Sequence, residues 1–199
     1  MNEATLQQFK MTLRPFLPDD AKTILGWCKD RLAFRLWSAD RYKDFPARPE
    51  EMQKQYEGDN MYPLTAVVGD KIVGHILLRF PSEDKSNIRF GFVIVDDSKR
   101  GKGYGKQMLR LAIGYAQQEL GAQKITLGVF CDNHSALKCY KSIGFCITGE
   151  GYYMIDGHLW RCYQAGLGLL GSGRYHDRCT FPDTGLCRSQ DCTYSYHMD

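Results

Sequence analysis

With 199 residues, 43% of them hydrophobic and 25% charged, the chain has the composition of one globular domain with a sizeable core, not that of a disordered or fibrous protein. A net charge of +3, with Lys and Arg spread along the chain, excludes the concentrated basic tract of a nucleic-acid binder, and no apolar run reads as a signal peptide or membrane span. The cytoplasm is the expected compartment, and Cys28, Cys131, Cys139 and Cys146 lie in apolar patterns without disulfide-like spacing, so they read as reduced and mostly core.

In chain order, Lys10–Phe16 alternates like an edge strand, and Pro18, Asp19 and Asp20 supply a helix start for Ala21, Ile24, Leu25, Trp27 and Cys28. A second helix is expected from Pro49, with Glu50, Glu51 and Met52 following. Between them lies RLAFRLWSADRYKDFPAR, rich in arginine and aromatic residues, which fits either a packed aromatic cluster with solvated arginines or a pocket wall. Pro63–Val68 and Lys71–Phe80 are β-branched or apolar runs flanking Gly69–Asp70, and they predict a hairpin. His75, inside that hairpin, reads more readily as a packed strand residue than as a catalyst. Ile88–Val95 is the third strand of the meander.

At Phe92–Leu111 this strand meets a glycine-rich turn and then a helical pattern. Asp96, Asp97 and Ser98 end the strand, and Gly101, Gly103 and Gly105 alternate so that the backbone can turn tightly and approach a ligand without Cβ interference. Met108, Leu109, Leu111, Ala112, Tyr115 and Ala116 recur at helical spacing, so the turn feeds a helix N-terminus whose amides favour an anion. Arg100, Lys102 and Lys106 add formal charge, and the stretch is a candidate pyrophosphate site. It is not a Walker loop, which requires glycine at Arg100 and Ser or Thr at Gln107, nor a dinucleotide fingerprint, which requires a small residue at Lys106.

Lys124–Phe130 predicts another strand and Asn133–Gly144 a short helix ending in Gly144–Phe145. Asn133 and Tyr140 are two helical turns apart and share a face. Phe145–Met154 and His158–Gln164 then flank Ile155–Asp156–Gly157 as a second hairpin. From Ala165 the composition shifts, with no Lys or Glu, and residues 165–199 are expected to be an appended or out-of-frame tail outside a 1–164 domain. His176, Cys179, Cys187, Cys192 and His197 in that tail match no standard zinc spacing, and no metal site is expected.

Arg-x-x-Gly-x-Gly at Arg100–Gly105, followed by Asn-x-x-Ala-x-x-x-Tyr-x-x-x-Gly-Phe on Asn133, Ala136, Tyr140, Gly144 and Phe145, resembles the GNAT superfamily of N-acetyltransferases in motif and element order, without pointing to a subfamily. The resemblance implies an α/β fold: a GNAT-like mixed central sheet, an antiparallel meander followed by a parallel pair splayed at the acyl-CoA site, flanked by helices. It implies acetyl-CoA as cosubstrate, and direct transfer to an amine of a small molecule or a protein N-terminus. Val93, Ile94 and Val95 would bond the pantetheine arm, with the pyrophosphate held by Arg100, Gly101, Lys102, Gly103, Tyr104, Gly105 and Lys106. Asn133 would bond the arm or fix the loop, a plain N-cap being the other reading. Tyr140 would be the general acid that protonates the departing thiolate, although without the motif it reads as a half-buried aromatic. The acceptor pocket would be shaped by Arg35, Trp37, Arg41, Tyr42 and Phe45, with the arginines able to receive a carboxylate or phosphate. Many members carry a glutamate base on the strand before the loop. Here that strand carries Arg89 instead; a water chain ending at a backbone carbonyl, at Asp96 or at a residue of the Arg35–Phe45 stretch could serve, and no base is named. The alternative is a non-catalytic acyl-CoA-binding or sensor module on the same fold. A cysteine-linked route is disfavoured because neither Cys131 nor Cys139 has a histidine that the motif would position. Neither a nucleic-acid nor a membrane partner is expected, and a homodimer is allowed.

Overall fold

The computed structural model describes residues 10–169. Seven strands among them form one mixed sheet in the order β1-β2-β3-β4-β5-β7-β6. The edge strand β1 (Met11–Pro15) leads into α1 (Asp20–Leu25), α2 (Arg31–Ser38) and α3 (Pro49–Lys54). The meander β2 (Met61–Val68), β3 (Lys71–Arg79) and β4 (Asn87–Val95) follows, then α4 (Tyr104–Gln118), β5 (Lys124–Phe130) and α5 (His134–Lys141). The hairpin β6 (Cys146–Ile155) and β7 (His158–Gly168) completes the sheet.

Local chemistry fixes the tight turns. Val68 pairs with Lys71 across Gly69 (φ 58), and Ile155 pairs with His158 across Asp156 (φ 49) and Gly157 (φ 77). Two positive φ values in a two-residue loop match the right-handed twist of the flanking strands, which is why Asp-Gly serves there. The helix α2 was not anticipated as such. Asp30 caps it, accepting from the Ala33 amide at 2.7 Å, but its buried stripe is Phe34, Arg35 and Ser38. A polar majority on the inner face hides the apolar period.

The sheet buries both faces. On one, Met108, Leu109, Ala112 and Ala116 of α4 pack with Ile76, Leu78, Ile88, Phe90, Ile125 and Leu127. A Cβ on Gly74 would come within 2.6 Å of Met108 Sδ and 3.2 Å of the Ile94 carbonyl oxygen, so glycine lets α4 lie directly on β3. On the other face, Ala21, Ile24, Phe34 and Met52 of the first three helices pack with Leu77 and Ile94. Asp20 pins α1 to the sheet by accepting from Arg14 Nη1 and Nη2 (2.6 and 2.8 Å), the Leu17 amide (2.9 Å) and Thr65 Oγ1 (2.7 Å). Burial raises its pKa, but these donors outweigh burial and leave it below the usual carboxylate value.

The expected limit at Gln164 falls inside β7 and is corrected. Ala165, Gly166, Leu167 and Gly168 continue the strand, paired with Leu127, Thr126, Ile125 and Lys124 of β5. Pairing with β5 along the whole segment, and with β6 at Ala165 and Gly166, holds a glycine-rich stretch that has little strand propensity of its own. The rest of the tail, with the cysteines and histidines considered as a zinc cluster, lies outside the described residues. No helix among the described residues is long and apolar enough to cross a membrane.

Candidate active site

The site begins where β4 and β5 part. Their parallel ladder joins Asn87–Phe90 to Lys124–Leu127 and stops there, although both strands run on. Against β3, Gly91 pairs with Leu77 and Ile94 with His75, so Phe92 and Val93 together oppose Ile76 alone. This is a β-bulge, and it holds Phe92 at φ 48, a conformation uncommon for a bulky side chain. A bulged strand bends, and here β4 turns away from β5. The two cavities lie at the edges of the resulting gap.

The larger cavity, about 690 Å³, is lined by the last residues of β4 (Val93, Ile94, Val95), by Arg100, Gly101, Gly103, Tyr104, Gly105 and Lys106, and by Asn133 and Tyr140. Gly101 and Gly103 hold φ of 73 and 82, and a Cβ on either would meet nothing within 4 Å, so the turn leaves open space in front of its backbone. Gly103 is the N-cap of α4, and the Tyr104, Gly105 and Lys106 amides precede the first intrahelical bond, from the Gln107 amide to the Gly103 carbonyl. Lys99, Arg100, Lys106 and Lys138 border this cavity against one carboxylate, Asp132. Lys102 departs from expectation: it does not line the cavity, and its Nζ donates to the Ser98 carbonyl at 3.2 Å.

Tyr140 is buried on α5 and packs against Phe145, with ring centroids 5.8 Å apart. Burial, reinforced by the neighbouring Cys139, raises its phenol pKa well above the ordinary value, so it keeps its proton. Asn133 caps α5, its Oδ1 accepting from the Ala136 amide and from Ser135 Oγ, both at 3.2 Å, and its side-chain amide also borders the cavity. Cap and cavity wall are thus the same residue. Cys139 lines the cavity with its thiol pKa raised by burial, only partly offset by Lys106. A protonated thiol is a poor nucleophile.

The second cavity, about 250 Å³, lies where Gly91 and Phe92 of β4 face Gly128, Val129 and Phe130 of β5. Leu36 and Trp37 border both cavities. Of the five residues expected to shape an acceptor pocket, Trp37 and Arg41 line this cavity, and Phe45 lines neither cavity. Arg35 is buried, donating to both Asp156 carboxylate oxygens at 2.8 Å and to the Ala39, Tyr42 and Lys43 carbonyls, so it joins α2 to the β6–β7 turn instead of receiving a ligand. Tyr42 is buried against Phe34, Trp37 and Phe92, lines neither cavity, and is a packing residue. Asp96, considered as a base, caps the short 3-10 turn Asp97–Lys99 through the Ser98 amide at 2.9 Å and lines neither cavity.

Beside Trp37 and Arg41 the structure brings Asp40, Arg79 and Arg89 to the smaller cavity. Arg79 ends the apolar run of β3 and Arg89 interrupts that of β4, a signal legible in the sequence, but their pairing depends on the register of the two strands. His75 is fully buried and hydrogen-bonded at 2.6 Å to Tyr56 through Nε2; burial lowers its pKa to about 3. It is a neutral core residue among Phe16, Tyr56 and the sheet.

The mixed sheet thus parts beside a glycine turn and a helix N-terminus, with one cavity lined by that turn and another across the gap. The chain belongs to the Acetyltransferase (GNAT) family, whose pattern it matches over residues 31–145, and is an N-acetyltransferase of that family. It is 25% identical over 141 residues to the SPbeta prophage-derived uncharacterized N-acetyltransferase YokL of Bacillus subtilis, covering 70% of this chain and 78% of that protein. It is 32% identical over 89 residues to the L-amino acid N-acetyltransferase AaaT of Escherichia coli, and 30% over 99 residues to the spermine/spermidine N(1)-acetyltransferase of B. subtilis. Those matches cover 44% and 48% of this chain, and 55% and 58% of those relatives. The fold is shared with a spermidine N-acetyltransferase from Vibrio cholerae, crystallised with CoA and spermine, at a TM-score of 0.68 and 19% identity over 79% of this chain and 95% of that one.

Proposed function

We propose that the chain binds acetyl-CoA in the larger cavity and transfers the acetyl group directly to an amine entering from the smaller one. The observation that carries this reading is the pair of cavities meeting at the parted strands β4 and β5, with Trp37 in both walls. Acetyl-CoA supplies an activated acetyl thioester. The cradle fits its pyrophosphate on two counts: open space before Gly101 and Gly103, and helix amides with Arg100 and Lys106 around it. Val93–Val95 offer main-chain groups to the pantetheine amides from the strand end where pairing with β5 has ceased.

Transfer asks two proton movements of the protein. A primary amine with a pKa near 10 is neutral in only about one molecule in a thousand at pH 7, so it must lose a proton before attack. That proton leaves on the acceptor side, where the lining contains one carboxylate, Asp40. The departing thiolate needs a proton, and Tyr140 gives it: its phenol borders the larger cavity, and burial keeps it protonated. With Cys139 held as a thiol, no covalent acetyl-enzyme is required. The test is thiol release from acetyl-CoA with a panel of amines, beside calorimetry of acetyl-CoA binding. Micromolar binding with amine-dependent turnover supports the reading; binding without turnover of any amine would leave a coenzyme-binding module, and no binding would overturn the site itself.

A further inference from the structure

Arg79 of β3 and Arg89 of β4 are directly opposed across an antiparallel ladder, half-buried, and both line the smaller cavity. Side chains opposed in this way leave the sheet on the same face, and like charges so placed repel. Both arginines thus border one confined, partly desolvated space, which favours an anion there. Arg89 is also held in position. Its Nη2 donates to Gln164 Oε1 at 2.9 Å, and Gln164 Nε2 donates to Tyr153 Oη at 3.3 Å. A Cβ on Gly128 would lie 2.9 Å from Arg89 Nη2, so glycine at that position makes room for the guanidinium. The residue that orients Arg89 is a neutral amide, and no carboxylate among the described residues forms an ion pair with it. Its charge is positioned without being neutralised.

We propose that the acceptor is a small amine that also carries a carboxylate, and that Arg79 and Arg89 bind this carboxylate while the amine reaches the gap beside Phe92 and Trp37. The proposal rests on the transferase reading above and narrows it. Three cations (Arg41, Arg79 and Arg89) face one anion, Asp40, in this lining, so a polyamine meets net repulsion where an amino-acid-like acceptor meets attraction. The volume, about 250 Å³, suits an acceptor of that size. The guanidinium fork also matches the two oxygens of a carboxylate.

The test compares acetylation of alanine, leucine and methionine with that of their carboxamides and of spermidine, by thiol release from acetyl-CoA on the wild-type chain. The free amino acids should exceed the carboxamides in kcat/KM by about tenfold or more, since each charge-assisted hydrogen bond removed is worth at least that factor. In Arg89→Gln and Arg79→Gln the ratio should fall towards one, with a higher KM for the amino acid and unchanged acetyl-CoA affinity. Equal use of carboxamides, a preference for spermidine, coenzyme binding with no turnover of any amino acid, or a ratio preserved in both variants would overturn the carboxylate assignment. The wild-type comparison decides the matter even if a variant fails to fold. Loss of acetyl-CoA binding together with all turnover would instead remove the transferase reading on which the proposal stands.

Discussion

Arg35 and Asp156 are 121 residues apart in the chain and form a two-pronged ion pair, Nε to Oδ2 and Nη2 to Oδ1, each at 2.8 Å. The pair ties α2, which carries Trp37 into both cavities, to the Asp-Gly turn of the β6–β7 hairpin. Arg31 adds a second contact to the same carboxylate at 3.1 Å. Arg35 has only 4% of its side chain exposed, so removing Asp156 leaves a buried charge with carbonyl partners alone. Asp156→Asn is expected to lower the thermal midpoint and, because α2 borders both cavities, to raise both the acceptor KM and the acetyl-CoA Kd. Paired thermal melts and steady-state kinetics check this; equal midpoints and an unchanged KM would show that the pair does not position α2.

Tyr140→Phe keeps the buried ring and its contact with Phe145 while removing the proton donor. Turnover should fall by roughly 10²-fold or more, with acetyl-CoA affinity nearly unchanged, as expected when an interaction used in the transition state is lost. Because burial raises the phenol pKa, wild-type kcat should show no alkaline loss from Tyr140 ionisation up to about pH 10, the ordinary tyrosine value. A pH–rate profile with a Tyr140-dependent fall below that pH would contradict the assignment.

Gly103→Asp probes the cradle. A side chain at φ 82 is strained, by roughly 1–2 kcal/mol for an L-residue, and its carboxylate would enter the space in front of the α4 amides. Calorimetry should show the acetyl-CoA Kd rising by about tenfold or more, from strain and charge repulsion together. The circular dichroism spectrum should stay unchanged, since the added atoms meet no protein group within 4 Å.

The hydrogen bond between Tyr56 and His75 sits in a fully buried pocket and predicts an acid-sensitive fold. Burial lowers the folded-state pKa of His75 to about 3, whereas an unfolded histidine titrates near 6.5. Between these values the unfolded chain binds more protons, so the His75 contribution makes stability fall as pH drops through that window, by up to about 1.4 kcal/mol per pH unit. Urea unfolding at pH 7, 5.5 and 4.5 should show that fall, and a His75→Gln variant should show a shallower one. Identical slopes would mean that His75 does not govern the acid limb.

Much of the fold was legible because its signals are local. Glycines of positive φ at Gly69, Gly101, Gly103 and Gly157, the apolar stripe of Met108, Leu109, Ala112 and Ala116, and the cap at Asn133 each depend on neighbours within a turn or two. The lining of the larger cavity was legible for the same reason: Val93 to Lys106 is one continuous stretch, and Asn133 and Tyr140 belong to a single helix and its cap.

The sequence by itself therefore determined the wall of the larger cavity: a strand, a glycine turn and a helix N-terminus whose amides favour an anion. The tertiary structure alone decided the smaller cavity. It assigned Arg35 to Asp156, a partner on a distant turn, and set Arg79 against Arg89 through the register of two strands. Gly128 gained its role from a guanidinium on the next strand, and Ala165–Gly168 became part of the sheet because β5 pairs with all four residues and β6 with Ala165 and Gly166. Hydrogen bonds and charges satisfied between distant segments leave no periodic trace along a chain, and that is why these assignments required the folded structure.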